Sequence, residues 1–90
     1  MNNTRRASLT KINLYLKDVN TKIEELKSKL EECLSEEEDY FYNMPENLQG
    51  SLRGESSENA IDNIQNAIDN LDEVINIINE TMESVNDSTI

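Results

Sequence analysis

NAIDNIQ-NAIDNLD-EVINIIN-ETMESVN, residues 59–86, is a tandem of four heptads whose apolar residues recur in steps of three and four. This period indicates a helix that packs along another helix in a left-handed coiled coil. The apolar positions of this ladder are Ile61, Ile64, Ile68, Leu71, Ile75, Ile78, Met82 and Val85.

A second ladder with the same period lies in the first half of the chain. Its members are Leu9, Ile12, Leu16, Val19, Ile23, Leu26, Leu30 and Cys33. If the chain folds back about Asn47, each position of one ladder meets a position of the other, from Leu9 with Val85 to Cys33 with Ile61. We therefore predict an all-α fold, an antiparallel two-helix coiled-coil hairpin.

Local signals set the expected boundaries. Ser8 and Ser51 are suitable N-caps, Pro45 ends the first helix, and Gly50 is able to take positive φ in the turn. A start of the second helix near Ser56 is the alternative. The expected segments are a flexible start (1–7), a helix (8–42), a loop (43–51), a helix (52–86) and a flexible tail (87–90), with 8–86 forming one domain.

The ladder changes character near the turn. Tyr40 falls opposite Gly54, and Glu37 falls opposite Ser57 as a polar layer among apolar ones. Glu37 is either a device that fixes the register, as a lone polar core residue can be, or the point where the core ends.

Charge and cysteine content limit the function. The chain has 90 residues and a net charge of −11, which argues against direct binding of nucleic acid or of an anionic membrane. No apolar run is long enough to span a bilayer. The single cysteine, Cys33, is expected to be a small buried hydrophobe, and the composition suggests a reducing cytoplasm.

Residues that carry chemistry are scarce. The chain has no histidine and no pair of cysteines, and its acidic run 36–39 points in diverging directions around a helix. We therefore predict no enzymatic activity, no metal and no cofactor.

Apolar residues also lie beside the second ladder. They are Ala60, Ala67, Val74 and Ile77, with Tyr15 on the same flank of the first helix. Because a two-helix seam needs only one apolar stripe per helix, we expect a homodimer that forms a four-helix bundle, or a helical partner. Shielding by the long stems of Lys22 and Lys29 is the alternative.

The turn end is both aromatic and acidic. Residues 30–64 contain ten acidic residues and one arginine. The candidate partner-binding residues there are Tyr40, Phe41, Tyr42, Glu36, Glu38, Asp39 and Leu48. Aromatic residues rimmed by charge are common in binding hot spots, but these residues could equally plug the end of the hairpin.

The turn YNMPENLQGS at 42–51, the RGE at 53–55 and the heptads AIDNIQNAIDNLDEVI resemble a family of small helical proteins from bacteriophages and prophages of Firmicutes and related gut bacteria. The basic start and KIEEL at 22–26 are also similar. In the second helix, Asn and Ile replace the Ala- and Glu-rich heptads of that group. The resemblance implies a phage or mobile-element origin and a helical hairpin, and it brings no active site.

These features favour a non-enzymatic interaction module, an accessory protein that binds and modulates a bacterial host protein, for example one of a defence system. An acidic mimic of nucleic acid that blocks a basic groove is one alternative, and a purely structural oligomerisation unit is another.

Overall fold

The structure, a computed structural model, describes residues 2–89 and consists of a helical hairpin. Helix α1 spans Asn3–Tyr42, a short helix α2 spans Glu46–Gln49, and helix α3 spans Leu52–Asp87. Helices α1 and α3 pack against each other to form a rod of 69 × 15 × 13 Å. The predicted all-α hairpin is confirmed.

Helix α1 begins at Asn3 and not at the predicted Ser8. The reason is that Asn2 is a better cap than expected, because its Oδ1 accepts a hydrogen bond from the Arg5 backbone N–H at 2.8 Å. Helix α3 begins after Ser51, as predicted, and not near Ser56. Met1 and Ile90, the outermost residues of the expected flexible termini, lie outside the described residues.

The seam of α3 follows the predicted ladder. Ile68 is only 5% exposed, and the other ladder residues from Ile61 to Val85 are half-buried. In α1, one half of the ladder behaves in the same way: Leu9, Leu16, Ile23 and Leu30 are half-buried.

The other half of the α1 ladder does not face α3. Ile12, Val19 and Leu26 are 45%, 47% and 50% exposed, and Cys33 is exposed. The prediction that these four residues belong to the seam is wrong, as is the prediction that Cys33 is buried. Helix α1 is rotated about its axis, so that the residues immediately after them are half-buried in their place: Asn13, Asn20, Lys27 and Leu34.

The core extends past Glu37 to the end of the hairpin. The Ser57 hydroxyl donates to Glu37 Oε1 at 2.9 Å, which confirms their predicted pairing. Because Phe41, Met44 and Gly54 are all buried beyond this layer, the core does not end at Glu37.

The predicted loop contains the short helix α2, which packs against the start of α3. Gly50 has a φ of −86°, so the turn does not use its freedom to adopt positive φ. Gly54 is the glycine that the turn requires, since a Cβ there would lie 1.9 Å from the backbone oxygen of Gln49. The Gln49 side-chain amide in turn donates to the Met44 carbonyl at 3.1 Å, which fixes α2 to the end of α1.

Candidate interaction surfaces

Two contacts between α1 and α3 define the two flanks of the hairpin. Arg53 Nε donates to Tyr40 Oη at 2.7 Å on one flank, and Lys27 Nζ lies 2.6 Å from Asp72 Oδ1 on the other. Residues seven apart occupy equivalent places in a left-handed helix pair. Each contact therefore assigns a whole heptad series of each helix to its flank.

The series of Lys27 and Asp72 forms the polar flank, which we define as Asn13, Asn20, Lys27, Asp72 and Asn79. Asn20 Nδ2 donates to Asn79 Oδ1 at 2.9 Å, and Asn13 Nδ2 donates to the Met82 carbonyl at 3.1 Å. The hydrogen bond with Asp72 raises the pKa of Lys27 above its usual 10.5. The polar groups of this flank are thus largely paired within the hairpin, with the Oδ1 atoms of Asn13 and Asn20 lacking a protein donor.

The residues at heptad spacing from Tyr40 in α1 and from Arg53 in α3 form the apolar flank. We define this flank as Ile12, Val19, Leu26 and Cys33 of α1 together with Ala60, Ala67 and Val74 of α3. An open recess of about 600 Å³ runs beside Val19 and Leu26. The recess is lined by α1 alone and includes the charged Asp18, Lys22 and Glu25. No element covers the apolar flank in the part of the chain that the structure describes.

The predicted oligomer-interface residues lie on or beside this flank. Ala60 and Ala67 are half-buried at the edge of the seam, Val74 is more open, and Tyr15 and Ile77 are exposed on its rims. The sequence prediction missed the α1 members from Ile12 to Cys33 because it assigned them to the seam. Their exposure follows from the rotation of α1.

The turn end divides the predicted aromatic cluster between core and surface. Phe41 is 8% exposed and plugs the hairpin beside Met44, whereas Tyr42 and Leu52 are 70% and 83% exposed. The Phe41 and Tyr42 rings meet edge to face with centroids 5.3 Å apart. The largest exposed side chains at this end are therefore Tyr42 and Leu52, and Tyr40 is 44% exposed.

A separate recess of about 370 Å³ opens at the turn end. The recess is lined by Tyr40, Asn43, Met44, Pro45, Leu48 and Arg53. The guanidinium carbon of Arg53 lies 5.8 Å from the Tyr40 ring centre. The recess is small and combines an apolar floor with one cation, which suits a single side chain of a protein partner.

The acidic residues of the turn end do not converge on a point. Glu36 and Asp39 are exposed, Glu38 is half-exposed, and Glu37 is held by Ser57. Within residues 2–89, no three acidic or cysteine side chains are grouped closely enough to bind a metal ion. The carboxylates instead give a diffuse negative field around the turn.

Neither long helix, over the residues described, contains a segment that is long and apolar enough to cross a membrane. Comparison with protein-family models, with curated proteins and with solved structures gives no significant match.

Proposed function

We propose that this chain is a non-enzymatic protein-interaction module, an accessory protein of a phage or mobile element that binds and modulates a host protein in the bacterial cytoplasm. The observation that carries the proposal is the exposure of two apolar side chains at the turn end, Tyr42 and Leu52. These side chains are 70% and 83% exposed, and burial of each against a partner would contribute favourable free energy to binding.

The surroundings of these side chains support binding of a protein. Aromatic and aliphatic anchors set among charges resemble binding hot spots, in which a few residues supply most of the affinity. The excess of acidic residues over 30–64 would steer a partner that carries a basic surface. Anti-defence activity is one form that such modulation of a host protein would take.

The test is capture of host proteins from a Firmicute lysate on the immobilised protein, quantified by mass spectrometry. We expect one host protein to be retained by the wild type and lost by Tyr42→Ser and by Leu52→Ser. Glu38→Gln is the matched control, since it changes a neighbouring polar side chain and leaves the apolar anchors intact. Equal retention of the same proteins by all four chains would refute the proposal.

The acidic field favours a second candidate, a mimic of nucleic acid that occupies a basic groove. Residues 30–42 alone contain six acidic residues and no basic one. In that case Glu36→Gln, Glu38→Gln and Asp39→Asn together should weaken capture more than Tyr42→Ser. Binding should also fall steeply with salt, because the partner's cations would be paired with carboxylates.

A further inference from the structure

We propose that the apolar flank binds the apolar flank of a second copy of this chain, with the two rods antiparallel, to form a four-helix bundle. The inference deepens the proposed function, on which it rests, by naming one partner of the module. It concerns the long side of the rod and not the turn-end residues Tyr42 and Leu52.

The first argument is the position of the apolar stripes. In α1 the stripe covers the seam residues, such as Leu16 and Ile23, and continues through Val19 and Leu26 to one side only. In α3 it continues from the seam to Val74 in the same direction, because the Tyr40–Arg53 contact places both series on one flank. Helices with stripes this wide pack against two neighbours, and the hairpin supplies one.

The second argument is area. Ile12 and Cys33 are 21 residues apart, so the flank is about 32 Å long at 1.5 Å per residue, and two adjacent helices are about 20 Å wide. The α3 members, Ala60 to Val74, span only about 21 Å, so one copy would bury roughly 500 Å² and a symmetric pair roughly 1,000 Å², about the smallest area of a specific interface. The flank is thus large enough for a dimer.

The third argument is charge, and it selects the direction of the second copy. On the outer rim of the flank, the α3 residues Ser56, Asn63, Asn70, Ile77 and Ser84 carry no charge that would repel a second copy. Along α1, residues 1–29 hold seven basic and three acidic residues, whereas residues 30–42 hold six acidic residues and no basic one. A helix with this division is complementary to itself when reversed.

Only one of the two possible symmetric arrangements uses this complementarity. A twofold axis along the rods would place two strongly acidic turn ends side by side. A twofold axis across the rods places the basic half of α1 beside the acidic half of α1 in the second copy. In that arrangement Ile12 lies opposite Cys33 of the second copy, and the two Cys33 residues are about 32 Å apart.

The native cysteine makes the arrangement testable in the purified protein. The wild type and Ile12→Cys are treated with a short bis-maleimide and run on a denaturing gel, after light scattering has measured their mass in solution. Within one copy, positions 12 and 33 are too far apart to be joined, so any link connects two copies. Ser28→Cys, on the outer face of α1, is the matched control.

We expect a dimer by light scattering, efficient cross-linking of Ile12→Cys, and little cross-linking of the wild type or of Ser28→Cys. If the wild type cross-links as fast as Ile12→Cys, the two Cys33 residues lie close together. The rods are then parallel, and the proposal is overturned. A monomer at about 500 μM would also overturn it, as would a dimer in which Ile12→Cys fails to link. Because no host protein is present, each of these outcomes is separate from the test with Tyr42 and Leu52.

Discussion

The polar and apolar flanks lie on opposite sides of the same two helices, and the chain treats them differently. On the polar flank, Lys27 meets Asp72 and Asn20 meets Asn79 within hydrogen-bonding distance. On the apolar flank, Val19 and Leu26 remain about half exposed. The hairpin thus pairs most polar groups of its polar flank internally and leaves apolar surface on the side where another molecule can bury it.

This difference teaches that the most apolar pairing is not always the one a short hairpin adopts. Rotation of α1 gives up burial of three aliphatic side chains, at roughly 0.8 kcal/mol for each CH₂ group left in water. A second copy would recover that free energy, since the same groups become buried between hairpins. Folding and association would then use different faces of α1.

The largest effect is expected from charge on the apolar flank. Val19→Asp combined with Leu26→Asp should raise the dissociation constant of the dimer at least about 100-fold, or about 2.7 kcal/mol, because buried unpaired carboxylates are costly. Sedimentation equilibrium measures this change, and circular dichroism should show that the helices persist. Ser28→Asp is the control for added charge. An unchanged mass in the double variant would show that the two flanks do not differ in the way described.

A smaller effect is expected where the turn fixes the relation between the flanks. Gly54→Ala should lower the free energy of unfolding by about 1–3 kcal/mol, because its Cβ would collide with the Gln49 backbone. Gly50→Ala should instead be neutral or stabilising by about 0.5 kcal/mol, since Gly50 has an ordinary φ and open space around it. Urea denaturation of both variants gives the comparison. Equal losses at the two glycines would contradict the close approach of α2 to α3.

The smallest effect is expected from the ion pair on the polar flank. Because the folded state raises the pKa of Lys27, its contribution to stability is present below about pH 10.5 and is lost as the pH rises through the raised value. Above pH 10.5 the wild type should therefore lose stability more steeply than Lys27→Met. Urea midpoints at pH 9 and 11 measure the slopes, with Lys29→Met as the matched lysine. Parallel slopes for wild type and Lys27→Met would show that Lys27 is not paired.

The heptad period was enough to predict two antiparallel helices and the seam of α3. In α3 the larger aliphatic residues fall mostly at the ladder positions, and the adjoining stripe holds Ala60, Ala67 and Val74, so side-chain size favoured one solution. In α1, Val19 and Asn20 flank Leu16 on opposite sides and lie about 100° apart around the helix. Hydrophobicity favoured Val19 as the seam residue. Asn20 and Lys27 pair with Asn79 and Asp72 of α3. The apolar pattern of α1 alone does not contain this information.

The candidate surfaces were predicted less completely for the same reason. Ala60, Ala67 and Val74 were found because they stand outside the α3 ladder, whereas Ile12 and Cys33 were hidden within the α1 ladder. At the turn, the letters around Phe41 and Tyr42 do not tell which ring is buried. Which ring is buried depends on how α2 and the start of α3 pack against the end of α1. The requirement for glycine at position 54 likewise depends on the close approach of the Gln49 backbone.

Both flanks exist only if the chain doubles back on itself, and a distance between two exposed sites tests this directly. Spin labels are attached to Lys17→Cys and Asn76→Cys in a Cys33→Ser background, and the doubly labelled chain is diluted with unlabelled protein. The hairpin predicts a separation of about 15–30 Å, set by helix axes 8–10 Å apart and two label arms. A separation approaching about 90 Å, the length of one continuous helix between these sites, would contradict it.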